Sequence, residues 1–464
     1  NDNEIVNNKD NPETETEQGV LSYGRLLAFF VPLAITPFFI STIHSLVNAA
    51  MARLPYPDLS IAVFSVVKGL TNTVKSSTFM FMQINISLVD DRQSFIAASK
   101  FIWSLTGLFF AILFILGYTP AGGWFLSNVI GLQDPEKIEF AYLALRITCF
   151  LPIVEALRNI HRGLLISHER TKIISAATAV RLIAITAFLG WAVYSQQMSG
   201  ILVGALSWTA GIGIEGLMVV IGVFYFFSSP FEAAEKTPDY SPARLTFYDI
   251  LSFFLPLAVM MLLNSTLNPI IQSGIARSPV DSTHALAAYG VAFGIMRIIS
   301  SPIGYLHNCS LVYVKQGETQ KWDKVRRFSL LTGIVTSLVM LIIGLSPLGF
   351  WLLNTVIGVS SSLAQTGRWV FLAFSFFPFI QALRESYWGL LMHERETKSI
   401  GTAKAFNALT VFLVLFSAIF FLPEWLLSSP AVLGAVAYTI GQIVETVLVR
   451  YYSIKNVELI FNSE

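Results

Sequence analysis

The sequence predicts an all-α polytopic membrane protein, with about twelve transmembrane helices forming two parallel six-helix repeats around a central cavity. Three observations carry this. Of the 464 residues, 54% are hydrophobic and only 13% charged, whereas soluble domains are roughly a quarter charged. Apolar runs of about twenty residues, long enough to cross a bilayer as helices, recur throughout. Finally, one segment occurs twice: Phe150 to Lys172 (FLPIVEALRNIHRGLLISHERTK) returns as Phe376 to Lys398 (FFPFIQALRESYWGLLMHERETK). Pro152 pairs with Pro378, Arg158 with Arg384, Gly163 with Gly389 and Lys172 with Lys398, at one spacing (378 − 152 = 226). A gapless match of this kind marks an internal duplication.

In chain order, residues 1–20 are polar and acidic without the apolar stretch of a signal peptide, and are expected to form a disordered cytoplasmic tail. Spans follow near 24–48, 59–88, 96–117, 138–167, 171–195 and 200–228, making an N-terminal lobe over 21–228. A polar stretch, 229–244, reads as a cytoplasmic linker. The C-terminal lobe, 245–464, repeats the pattern near 247–275, 283–314, 326–353, 367–393, 397–421 and 430–455. The first spans match through Pro32 and Pro256, Ser41 and Ser265, and Arg53 and Arg277; the sixth match through Gly204 and Gly434, Gly211 and Gly441, and Glu215 and Glu445. Six is even, so both halves enter the membrane from one side. One set of connections holds Arg92, Arg170, Lys172, Lys236, Arg244, Lys315, Lys321, Lys324, Arg326, Arg327, Arg395 and Lys398, the other little beyond Arg53, Lys137, Arg277 and Arg368. By the positive-inside rule the first set, with both termini, is cytoplasmic. A bacterial inner membrane is the expected location.

Ionisable groups inside spans are costly and therefore functional candidates. Lys68, Asn72 and Lys75 fall on one face of the second span. Its repeat partner, the eighth, carries Arg297 and His307, with Pro302 and Gly304 expected to loosen the helix. His44 and Asn48 in the first span align with Asn268 and Gln272 in the seventh, which also has Asn264. These polar stripes are read as the walls of one substrate cavity; hydrogen bonding between helices is the plainer alternative. No Asp or Glu lies in the apolar cores of these four spans, so the cavity is expected to prefer anions. The intramembrane acids lie elsewhere. Glu155 is expected to form a structural ion pair with Arg158 and Arg162, and Glu215 and Glu445 to neutralise Arg146, Arg181 or Lys404, with proton coupling the sharper alternative. Arg158 and Arg384 are expected to be structural or gating, with Gly163 and Gly389 permitting close helix approach.

The composition and motifs exclude other classes. Net charge is +1 and no nucleic-acid module is present. Cys149 and Cys309 suggest neither a disulfide framework nor a metal site. No phosphate loop, metal-spaced cluster or nucleophile elbow appears, so neither an enzyme nor a cofactor is expected.

The blocks LRITCFLP (145–152), FFLPLAV (253–259), ALAAYGVAFGIMRIISSP (285–302) and NCSLVYV (308–314), with the duplicated fourth helix, carry a resemblance. The chain resembles the multidrug/oligosaccharidyl-lipid/polysaccharide (MOP) flippase superfamily, and within it the progressive ankylosis (ANKH-type) transporters. The resemblance implies a MATE-like fold, alternating access of two lobes around a cavity lined by spans one, two, seven and eight, and export of pyrophosphate, nucleotides or citrate. Implied partners are a small anionic substrate, a coupling ion (proton or sodium) and membrane lipids. A MATE-type multidrug antiporter, a lipid-linked oligosaccharide flippase and a non-transporting scaffold are the rival readings. The first span lacks the acid found in multidrug exchangers.

Overall fold

The computed structural model describes residues 21–132, 134–235, 245–278, 282–314, 318–421 and 429–461. The 1–20 tail and residues 236–244 of the linker lie outside the described residues. Among the described residues every regular element is a helix.

The first half comprises α1 (Tyr23–Met51), α2 (Pro57–Lys75), α3 (Phe81–Leu88), α4 (Arg92–Tyr118), α5 (Pro120–Asn128), α6 (Pro135–Thr148), α7 (Leu151–Ser167), α8 (Thr171–Ser195) and α9 (Gly200–Phe226). The second comprises α10 (Phe247–Ala276), α11 (Ser282–Ser300), α12 (His307–Tyr313), α13 (Thr319–Leu345), α14 (Pro347–Trp351), α15 (Ser361–Ala373), α16 (Phe377–His393), α17 (Thr397–Phe421) and α18 (Pro430–Phe461). Among the described residues, ten stretches are long and apolar enough to cross a membrane. Two further stretches correspond to spans through the repeat: Pro57 to Leu88 is the partner of Ser282 to Tyr313, and Ser361 to His393 the partner of Pro135 to Ser167. The protein is a multi-pass integral membrane protein.

The repeat preserves breaks as well as helices. The second and eighth spans are each interrupted by five residues of 3₁₀ helix, Ser76–Met80 and Ser301–Tyr305. Pro302 and Gly304 account for the second break, as the sequence predicts. Ser76 to Met80 (SSTFM) has neither residue, and its break is held instead by cross-helix bonds: Asn159 donates to the Thr78 carbonyl at 2.8 Å. α7 and α16 pack on the half-helices beyond the breaks through the duplicated glycines. A methyl at Gly163 would sit 2.7 Å from the Asn85 Cβ, and one at Gly389 would run into the His307 carbonyl. Close approach at both glycines is therefore a feature of the fold.

One core joins the halves at the end carrying the 89–91, 168–170 and 394–396 connections, hereafter the basic end. Phe30, Phe81, Phe101 and Leu164 are buried there with Phe254, Leu257, Leu306 and Phe328. Phe254 stacks on Phe81 at 5.9 Å and meets Phe101 edge-on at 5.4 Å. The other two cores are each confined to one half, around Val63, Leu145 and Ile201 in the first and Ala288, Phe371 and Ala435 in the second. The halves are thus fused at the basic end and separately packed at the far end.

Two polar latches reinforce that seal. Tyr313 of α12 donates to Glu169 at 2.6 Å, and Arg25 of α1 clamps the same carboxylate at 2.9 and 2.5 Å. In the repeat-related position Arg395 reaches Asp90 at 4.0 Å. Glu169 and Arg395 are 226 residues apart and share a left-handed backbone, φ +58° and +60°. Each fourth-to-fifth-span turn therefore reaches across to the end of the other half's broken span. Burial alone would raise the pKa of Glu169, but the bonds from Arg25 and Tyr313 outweigh it and hold the carboxyl below its ordinary value.

Candidate functional site

Directly above the shared core, between the halves, lies a cavity of about 430 Å³. Its wall is Asn72, Lys75 and Thr78 at the break of the second span, Glu155, Arg158 and Asn159 on α7, and Met261, Asn264 and Ser265 on α10. The break of the second span sits at this depth, so its wall includes backbone freed from the helical ladder. Lys75 Nζ lies 2.7 Å from one Glu155 oxygen, and Thr78 donates to the other at 2.6 Å. This corrects the expected pairing of Glu155 with Arg158 and Arg162. The i, i+3 spacing puts Arg158 on the same face, but α2 arrives from across the helix interface and brings Lys75 to Glu155 first. Lys75 also lies over the Trp208 ring at 5.3 Å, and Lys68 lies 6.0 Å from the same ring.

Behind the cavity wall are two buried charge clusters related by the repeat. Glu215 is fully buried and receives Arg181 at 2.9 Å, Arg158 at 3.4 Å and Arg162 at 3.8 Å. Glu445, also fully buried, receives Lys404 at 2.7 Å and Arg384 at 3.5 Å, with a bond from Asn407. The positions trade chemistry between halves: Thr178 and Arg181 of α8 correspond, 226 residues on, to Lys404 and Asn407 of α17. One turn apart on the same face, either position reaches the acid. Arg384 also bonds Glu385 at 2.8 Å, and Glu385 accepts from His307 at 2.8 Å. His307 lies 2.9 Å from Gln83 of the other half.

Of the residues singled out from sequence, Lys75, Asn72, Asn264, Glu155 and Arg158 come together on the cavity wall. Lys68 is seven residues, about 10 Å, further toward the far end, where its amine lies 3.3 Å from His44 Nδ1. Asn48 and Gln272 are exposed near that end, and the buried Asn268 oxygen has no bonding partner among the described residues. Arg297 is exposed on α11 and bonds Tyr438. His307 is buried in the seam between the halves, below the cavity. Arg146 does not neutralise Glu215; it donates to the Gly117 carbonyl at 3.1 Å and lies beside the Tyr118 and Tyr142 rings. Sequence reasoning missed Asn159, Thr78 and Ser265 as wall residues, and read Arg158 as structural or gating rather than as part of the cavity wall. The signal for Asn159 was present, since it shares a helix face with Glu155 at i, i+4.

The family model described as Progressive ankylosis protein (ANKH) matches residues 16–271 and 236–463. The chain belongs to the progressive ankylosis protein family. Solved structures agree at the level of the fold. A MOP superfamily transporter from Pyrococcus furiosus, described as having a binding pocket of reversed polarity that suggests a different function, is similar with TM-score 0.69 and 14% identity, over 95% of this chain and 99% of that one. A multidrug resistance MATE family transporter of the MOP superfamily, in an outward-facing conformation, matches with TM-score 0.69 and 14% identity over 96% and 100%. The eukaryotic MATE transporter AtDTX14 matches with TM-score 0.67 and 12% identity over 95% and 97%. The fold is the one these transporters share.

Proposed function

We propose that this family member exports small polyanions of the pyrophosphate, nucleotide or citrate class by alternating access of its two halves. The observation that carries this reading is the cationic balance of the cavity: among the described residues its one acid, Glu155, is already paired with Lys75, while Arg158 faces the same space. A guanidinium and an ammonium beside Asn72, Asn159, Asn264 and Ser265 provide forked and point-charge donors for phosphate or carboxylate oxygens. A cationic drug or sodium ion would need a free carboxylate, which this wall does not offer. Among solved structures of this fold, a pocket of reversed polarity and a multidrug transporter score alike, so the sign of the cargo rests on this chain's own residues.

The Lys and Arg bias supports a cytoplasmic basic end; in that orientation the shared core is an inner seal and the conformation outward-facing. The buried Glu215 and Glu445 clusters stiffen each half for rigid-body rocking, and His44, Lys68 and Arg297 line the route away from the cavity. The test is uptake of pyrophosphate, ATP and citrate into proteoliposomes. Lys75→Gln with Arg158→Gln should lower anion transport at least about tenfold, the effect of losing roughly 1.4 kcal/mol of binding, while gel filtration still reports a folded protein. Normal transport by that folded double variant would sink the proposal.

A further inference from the structure

We propose that Glu155 stands in for the substrate anion in the empty cavity, and that the arriving anion takes Lys75 from it while Glu155 takes up a proton. The site would then bind anion and proton together. This inference rests on the anion reading above.

The geometry is that of an internal competitor. The Lys75 ammonium and the Glu155 carboxylate meet at 2.7 Å with both side chains under one-tenth exposed, on the wall of the cavity. A lysine has one compact charge and cannot serve two anions equally. An oxyanion entering the cavity must share or capture that ammonium. Glu155 then keeps only the Thr78 hydroxyl at 2.6 Å and the field of Arg158, and Arg158 faces the incoming anion as well. A carboxylate left buried beside a second anion is a costly arrangement, and binding a proton removes the cost. The step balances simply: Lys75 keeps its proton throughout, and Glu155 gains one from cavity water.

The charged groups around Glu155 leave it as the site of uptake. α2 contributes Lys75 and, farther up, Lys68 beside His44 of α1. α7 contributes Arg158, whose other side meets Glu215 of α9 with Arg181 of α8. α10 presents Asn264, Ser265 and Met261 to the cavity, none of which titrates. Glu215 has three guanidiniums of its own and loses none to the cavity except Arg158.

The repeat supplies an internal comparison. Glu155 corresponds to Gln381 (381 − 155 = 226), and Lys75, last residue before its break, to Ser300 before the other. The second half keeps the helix break and the glycine contact but neither member of this pair. The device belongs to one half only, as expected of a feature that serves a ligand rather than the duplicated scaffold.

The experiment is calorimetric titration of pyrophosphate and of citrate into purified wild type and Glu155→Gln, each in two buffers of different ionisation enthalpy. Proton exchange by the ligand itself is common to both proteins and cancels. Wild type should take up about one more proton per anion than Glu155→Gln, and its affinity should fall by up to about tenfold per pH unit relative to the variant. Glu155→Gln should bind at least as tightly as wild type. Infrared difference spectra of wild type should gain a protonated-carboxyl band on anion addition, a readout that needs no variant. Anion binding with equal proton uptake in both proteins, or without that band in wild type, overturns this inference and leaves the anion reading standing. No anion binding by wild type overturns both.

Discussion

At the scale of single residues, this protein buries charge in closed sets. Glu215 is shared by Arg158, Arg162 and Arg181, and Glu445 by Arg384 and Lys404. Removing one partner of several costs little, because the acid remains solvated by the others, but removing the acid leaves like charges facing one another. Glu215→Leu should therefore destabilise by about 3–5 kcal/mol, the range for a broken buried pair, and Arg181→Met by clearly less. Thermal unfolding in detergent measures both, and the reverse order would contradict this account. The importance of the two acids was legible in their repetition. Their partners were only partly so, because Arg181 and Lys404 sit at non-equivalent repeat positions and a single aligned column conceals the exchange.

At the scale of elements, the broken second span sets the depth of the cavity, and the fourth and tenth spans pack on the half-helices beyond the two breaks. Gly389→Ala drives a methyl into the backbone of α12, so it should cost about 1–3 kcal/mol, as overpacking does; unchanged thermal stability would argue against the close contact. The Ser301–Tyr305 break could be read from Pro302 and Gly304, whereas that at Ser76–Met80 depends on Asn159, a tertiary partner. The duplicated HERTK and HERETK turns are more than connectors, because Glu169 and Arg395 reach across to the other half. The Glu169 carboxyl is held below its ordinary value, so the stability it contributes is complete above about pH 4.3 and is lost only as pH falls through its depressed value. Acidification from pH 7 to 5 should leave this latch closed, while Tyr313→Phe with Glu169→Gln should loosen the basic end. Cysteine labelling of that end reads both. Opening between pH 7 and 5 would show that another group controls the seal.

At the scale of the whole molecule, one core spans both halves and two do not, so alternating access requires the shared core to part. Phe101 and Phe247 lie on opposite halves with ring centroids 5.1 Å apart. Replacing both by cysteine and closing a disulfide should stop transport, and reductant should restore it. Cys149 and Cys309 are buried and should not interfere. Transport that continues with the disulfide formed would exclude rocking about this end.

The fold class, the duplication and the parallel relation of the halves are written along the chain, because hydropathy and repeat spacing are one-dimensional properties that a bilayer converts directly into helices. The polar faces of Lys75, Asn72 and Asn264 were legible for the same reason, being periodic on single helices. Which charge meets which was decided only by packing. Glu155 and Arg158 share a helix face, yet Glu155 belongs to Lys75, eighty residues away, because α2 ends against α7 at that depth. Ion pairing depends on a few ångströms between helices, and sequence spacing fixes distances only within one.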